Sequence, residues 1–277
     1  MITMSDVTFK YRKKQIFSGF NLSIEKGKVC GLLGKNGAGK STLLYLLTGL
    51  LLPQKGTVKF KEQDVSKRNP STLGDIFIVP EEFDLPNVSL KKYVEINCPF
   101  YPNFSKEQLN KNLDHFEMNT DINLKELSHG QKKKVFMSFA LATNTSLLIM
   151  DEPTNGLDIP SKSQFRKFIA SGMSDDKMIL ISTHQVQDVD KLLEHIIVLD
   201  DNKVLLNSAV SSICNKLKFI ESFDEEIIKK AIYVNPSLLG FNLILPNDDE
   251  EETSLNLESL FNATLAQTDK IKLLLSN

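Results

Sequence analysis

The chain of 277 residues lacks a long apolar run. Its longest, Leu43 to Leu52, is broken by Tyr45, Thr48 and Gly49 and falls short of the ~20 residues that a helix needs to cross a bilayer. An amino-terminal apolar block is missing too, with Asp6 and Lys10 in its place, so no signal peptide is expected. Cysteine is scarce. Cys30, Cys98 and Cys214 show no C-x-x-C spacing and no partnered histidine motif, a count that fits a reducing cytosol. Cys30 falls in an apolar run, where a small buried thiol is the simplest role. Excess positive charge is also absent. Lys and Arg number 33 against 35 Asp and Glu, without the basic balance of many nucleic-acid binders. Short basic runs such as Lys132-Lys133-Lys134 read as a solvated helix face.

What remains is an ordinary globular composition, 41% hydrophobic and 25% charged, with length for one large domain or two modest ones. One stretch stands out. Gly34-Lys35-Asn36-Gly37-Ala38-Gly39-Lys40-Ser41 fits G-x-x-x-x-G-K-[ST], the phosphate-binding loop. Its setting is correct: Val29 to Leu33 reads as a buried strand, and Ser41-Thr42 open a helical pattern. Glycines let the backbone wrap phosphate oxygens without a Cβ in the way, and N–H groups at the helix start face the anion. Lys40 brings a mobile charge to the β- and γ-phosphates, and Ser41 offers a hydroxyl to Mg²⁺.

Along the chain, Met4 to Phe9 and Phe20 to Ile24 read as strands around a polar turn at Tyr11 to Gln15. Glu25 to Lys28 is a second turn, and Thr57 to Phe60 is another strand. Ile76 to Val79 is a buried strand stopped by Pro80 and followed by Glu81-Glu82. A helical insertion spans about residues 83–145. Within it, Ser105 and Gln108 have capping-box spacing before a Leu109, Leu113, Phe116 stripe, and Ser128 and Gln131 repeat that spacing. Leu147 to Met150 is a strand ending in Asp151-Glu152. Phe165, Phe168 and Ile169 mark a helix with Pro160 in its first turn. Met178 to Ile181 is a strand ending at Ser182-Thr183-His184, and Val189, Leu192 and Leu193 suggest a further helix. Ile196 to Leu199 and Lys203 to Leu206 form a hairpin. Residues 209–277 read as a small extension without chemistry of its own. It holds a hairpin at Ala231 to Val234 and Phe241 to Leu245, an exposed acidic loop at 248–252 and a helix at Leu257 to Leu265.

Alternating strands and helices give an α/β fold with a parallel sheet, whose ligands bind beyond the carboxyl ends of the strands. The strands before Gly34, Pro80, Asp151 and Ser182 all end there, which gathers Lys40, Glu81, Asp151, Glu152 and His184 around one site. An acidic pair after a strand is often no more than the start of a loop. Downstream of a phosphate loop, it is a carboxylate for Mg²⁺ and another to polarise water. His184 at a strand end can donate to a γ-phosphate. Ser128-His129-Gly130-Gln131 is either a plain helix cap or a second anion-binding helix start, useful if the anion sits on another subunit.

Together these residues resemble the ATP-binding subunit of an ATP-binding-cassette (ABC) transporter, bacterial exporter-like, over about residues 1–208. Gly34 to Ser41 matches the Walker A loop, Leu147 to Glu152 Walker B, and Leu127 to Gln131 the LSGGQ signature. Gly156-Leu157-Asp158 matches the D-loop, His184 the switch histidine, and Tyr11 the aromatic that stacks on adenine. The resemblance implies a P-loop NTPase core with an N-terminal antiparallel β subdomain. It implies ATP and Mg²⁺ as ligands, with Gly34, Asn36, Gly37, Ala38, Gly39, Lys40, Ser41 and Thr42 around the phosphates. Ser41, Asp151 and Glu81 would hold the metal, Glu152 would act as general base, and His184 would sense the γ-phosphate. Ser128, Gly130 and Gln131 would close over the ATP of a second subunit, and Asp158 would couple the two sites. A permease partner, placing the chain on the cytoplasmic face of the membrane, is implied as well. Two positions depart from the family pattern: Glu81 replaces the usual glutamine, and His129 the first glycine of the signature. They motivate an alternative reading as a weakly active regulatory partner in a heterodimer. A cousin acting on ribosomes or DNA would be expected to carry two cassettes or a long coiled coil. This chain has one phosphate loop and no sustained heptad, so no nucleic-acid partner is expected.

Overall fold

The computed structural model describes residues 2–25, 27–238 and 240–276. In chain order the strands and helices begin with β1 (Ile2–Tyr11), β2 (Lys14–Ile24), β3 (Val29–Leu33), α1 (Lys40–Leu47), β4 (Lys55–Phe60), β5 (Gln63–Asp64), α2 (Pro70–Leu73) and β6 (Ile76–Val79). The insertion follows with α3 (Leu90–Asn97), α4 (Lys106–His115) and α5 (His129–Ala142). Next come β7 (Leu147–Asp151), α6 (Ile159–Ser171), β8 (Met178–Thr183), β9 (His195–Asp200) and β10 (Lys203–Ala209). The chain continues through α7 (Val210–Lys216), β11 (Leu217–Ser222), α8 (Glu225–Lys230), β12 (Tyr233–Ser237), β13 (Gly240–Pro246), α9 (Leu257–Ala266) and α10 (Thr268–Ser276).

Among the described residues the strands form three sheets, ordered β2-β1-β4-β5, β10-β9-β3-β8-β7-β6 and β11-β13-β12. In the second, β9, β3, β8, β7 and β6 run parallel, and β10 closes one edge antiparallel to β9. Strands β3, β7 and β8 are buried at every position, as central parallel strands covered on both faces must be. Their side chains alternate between two cores. Val29, Leu33, Leu148, Met150, Ile179 and Ile181 face the helical side, with α4, α5 and α6. Cys30, Leu32, Leu147, Ile149, Met178 and Leu180 face α1 and the β1–β2–β4 sheet. The helical-side core runs on into the C-terminal segment through Ile213, Leu217, Phe219, Ile244, Leu260 and Ile271.

Several expectations need correction. The β1–β2 ladder continues through Tyr11 opposite Lys14, so the turn shrinks to Arg12-Lys13, with Arg12 at φ 49°. Exposed polar positions extend an antiparallel ladder as well as apolar ones do. Lys26, in the expected turn at Glu25 to Lys28, lies outside the described residues. Ser105 caps α4, but the Gln108 amide does not reach back; it donates to Asn112 Oδ1 at 2.8 Å. The helix expected around Val189 to Leu193 is two 3₁₀ turns, Val186–Asp188 and Asp190–Leu192. Residues 184–194 must return the chain to β9, and tight turns bury Val186, Val189 and Leu193 without a full helix. In the extension, the expected hairpin is β12–β13 joined by the unforeseen β11, and Pro236 sits within β12, an edge strand where a missing N–H is tolerated. Lys133 is fully buried, so the 132–134 run is no solvated face. It shares the inward helical stripe of Met137 and Leu141.

Phe168 of α6 is completely buried, with its ring centroid 5.0 Å from that of Phe116 on the insertion. Truncating it leaves a cavity between two layers. Phe168→Ala is expected to lower unfolding free energy by about 3–5 kcal/mol, read as a lower urea midpoint at unchanged slope.

Candidate functional site

The parallel register brings the ends of β3, β8, β7 and β6 to one edge. There an open cleft of about 370 Å³ is lined by Tyr11, Asn36, Lys40, Ser41, Glu81 and Glu152, and also by Gly37, Gly39, Thr42 and Asp151. Lys14, Ile16 and Lys35 line it too, beyond the candidate site residues named above. Lys14 lies within the Tyr11 to Gln15 turn, Ile16 directly follows it, and Lys35 lies inside the glycine loop.

Backbone geometry explains the loop. Gly39 caps α1 at φ 97°, in the left-handed region. Gly34 passes so close to β9 that a Cβ would stand 2.5 Å from the Leu199 carbonyl oxygen. Lys40 is buried, and its ammonium donates to the carbonyls of Gly34 at 2.8 Å and Lys35 at 3.4 Å. Tyr11, part-exposed at the tip of the β1–β2 hairpin, is braced edge-on by Phe9 at 4.9 Å.

The acidic pair is buried at the end of β7. Asp151 Oδ1 accepts from the Ser182 hydroxyl of β8, and the carboxylate is also bonded by Ser41. Burial pushes the Asp151 carboxyl above the usual range, and those two hydroxyls oppose the rise. Glu152 adopts φ 45°, a strained conformation for a residue with a side chain. Its Oε1 lies 3.5 Å from the Lys40 ammonium and 2.8 Å from His184 Nδ1. Lys40 and His184 thus meet on one oxygen of Glu152. Glu81 Oε1 accepts from the Asn155 amide at 2.9 Å, and Gln185 donates to Asn155 Oδ1 at 3.0 Å. Asn155 therefore ties together the loops after β6, β7 and β8, a role its position after Glu152 did not advertise.

Ser128, Gly130, Gln131 and Asp158 do not line this cleft. Ser128 and Gln131 form a complete capping box at the exposed start of α5, and Asp158 caps α6 through the Ser161 N–H at 2.8 Å. The His129 ring packs along its own chain, 3.4 Å from where a Cβ on Gly156 would stand, with Phe83 6.4 Å away.

Residues 17–155, half of the chain, match the family model described as ABC transporter. The chain belongs to this family. It is an ATP-binding subunit of an ABC transporter, and its enzymatic activity is that of an ATPase. Among relatives, it is 26% identical to "ABC transporter ATP-binding protein YtrB" of Bacillus subtilis, over 92% of this chain and 89% of the relative. It is 31% identical to "Cobalt import ATP-binding protein CbiO" of Salmonella typhi, over 76% and 81%. In fold it is similar to a solved structure described as "Dimeric Structure of MJ0796, a Bacterial ABC Transporter Cassette", with TM-score 0.65 and 24% identity over 76% of this chain and 99% of that one.

For this ABC subunit, the raised Asp151 carboxyl has a consequence for stability. Its ionised form costs folding free energy above the usual carboxylate pKa, and that cost is relieved as pH falls and the group protonates. Asp151→Asn is expected to raise the Tm of the nucleotide-free chain at pH 7. The gain should shrink toward pH 4, as followed by scanning calorimetry across that window.

Proposed function

We propose that this chain powers a membrane transporter by closing, with a second ATP-binding subunit, around two Mg-ATP molecules and hydrolysing them. The observation that carries the reading is a division of labour. The cleft gathers Lys40, Ser41, Asp151 and Glu152, while the capped, exposed start of α5 lies outside it. A helix start of that kind is an anion site its own chain does not use, and a partner's γ-phosphate fits it. The dimeric state named for the MJ0796 cassette is in keeping with this pairing.

In this reading Lys40 leaves the Gly34 and Lys35 carbonyls for the β- and γ-phosphates, and Tyr11 stacks on the adenine. Glu152, steadied by His184, orients and deprotonates the attacking water, and His184 also meets the γ-phosphate. The oxygen donors of Ser41, Asp151 and Glu81 suit Mg²⁺. Among the described residues no three His, Cys, Asp or Glu side chains form a ready cage, so phosphate oxygens would complete the coordination. The ion supplies charge neutralisation on the phosphates. Asp158 couples the two sites from the start of α6.

Among the described residues no helix is long and apolar enough to cross a membrane. The moving membrane helices would belong to a permease subunit, which would hold this chain at the cytoplasmic face. The chain resembles exporter subunits, whereas CbiO is named for import, so the proposal holds for either direction. Glu81 and His129 favour a second reading, a weakly active regulatory partner. Against it, Glu152, Lys40 and His184 are all present and mutually engaged.

Mg²⁺-dependent turnover by the purified chain, alone and with its permease, tests the reading. Glu152→Gln is expected to cut kcat by roughly 10²–10⁴-fold and to accumulate ATP-dependent dimers in light scattering. Tight ATP binding without turnover by the wild type would favour the regulatory reading.

A further inference from the structure

Lys133 is a lysine with no contact to solvent, placed one turn into α5 beyond Ser128-His129-Gly130-Gln131. Its ammonium donates to the Glu152 carbonyl at 2.8 Å and to the Asn155 carbonyl at 2.9 Å. These two carbonyls bracket a tight turn, which the Asn155 N–H closes back onto the Glu152 oxygen at 3.2 Å. The turn begins at the strained φ of Glu152, and its Asn155 side chain engages Glu81 and Gln185. A strained turn next to a reacting carboxylate persists only if its surroundings hold it. Two charge-assisted bonds from one buried ammonium do that, and among the described residues no other side chain donates to either carbonyl.

We propose that Lys133 is a positioning residue for ATP hydrolysis: it clamps the Glu152–Asn155 turn so that the Glu152 carboxylate keeps its place beside Lys40 and His184. The assignment rests on the ATPase reading above. It also gives α5 a mechanical link to the catalytic turn, since the helix start offered to a partner and the base of this chain's own site share a single side chain. Burial pushes the Lys133 pKa down, and the carboxylates of Glu81, Glu152 and Asp151 oppose that. Nearby carboxylates therefore support a charged clamp, Glu81 among them.

The test compares wild type, Lys133→Met, Lys133→Gln and Lys133→Arg as full chains, with two readouts. The first is steady-state hydrolysis. Lys133→Met should lower kcat by roughly tenfold or more and leave KM for ATP within about threefold, because the phosphate loop is untouched. Lys133→Arg, which keeps charge and donors, should recover most of the loss. The second is amide hydrogen exchange without nucleotide. Exchange should rise across 152–158 in Lys133→Met and stay at the wild-type level across 34–42. Lys133→Gln keeps a donor and should fall between, so the comparison stands even if the Met variant misfolds. Wild-type kcat in Lys133→Met, or an exchange increase spread evenly over the chain, would overturn the inference. A wild type that turns over no ATP would instead overturn the proposed function. The exchange readout then still decides, and unchanged protection at 152–158 would refute the clamp.

Discussion

The parallel alignment of β6, β7, β8 and β3 is the constraint from which the site follows. Each strand is short, apolar and covered on both faces, so its polar groups can gather only where it ends. Because the strands are parallel, those ends share one edge. Glu81, the Asp151–Glu152 pair, His184 and the glycine loop come together there from positions scattered between residues 34 and 184. The two cores fix this edge by holding the sheet between α1 with the antiparallel strands on one side and the insertion with α6 on the other.

At that edge, one ion pair and several hydrogen bonds hold the acidic pair in place. Lys40 and His184 share one oxygen of Glu152, and Ser182 and Ser41 share the Asp151 carboxylate. The turn carrying Glu152 is held by Lys133 of α5, the helix that Ser128 caps.

Much of this was legible in the residues themselves. Gly34 to Ser41 set between an apolar run and a helical pattern, and Asp151-Glu152 after Leu147 to Met150, carry their local geometry with them. The Ser128 and Gln131 spacing gave a capping box as expected. What escaped depends on distant parts of the chain. Lys133 sits in a lysine run that reads as surface, and only Glu152 and Asn155 across the fold give it reason to be inside. The helix expected near Leu192 failed because the position of β9 sets the path there. Strand β11 was missed because Leu217 to Ser222 becomes a strand by pairing with β13. The period of Lys133 with Met137 and Leu141 was the one available hint that its side chain turns inward.

The account stands or falls on where the start of α5 goes when ATP is bound. A structure of the Glu152→Gln chain with Mg-ATP, with or without its partner subunits, measures this directly. The account predicts that Ser128 Oγ and the Gly130 N–H of one subunit lie within about 3 Å of γ-phosphate oxygens held by Lys40 of the other. Bound ATP whose γ-phosphate is met by no α5 start from a neighbouring subunit would contradict it.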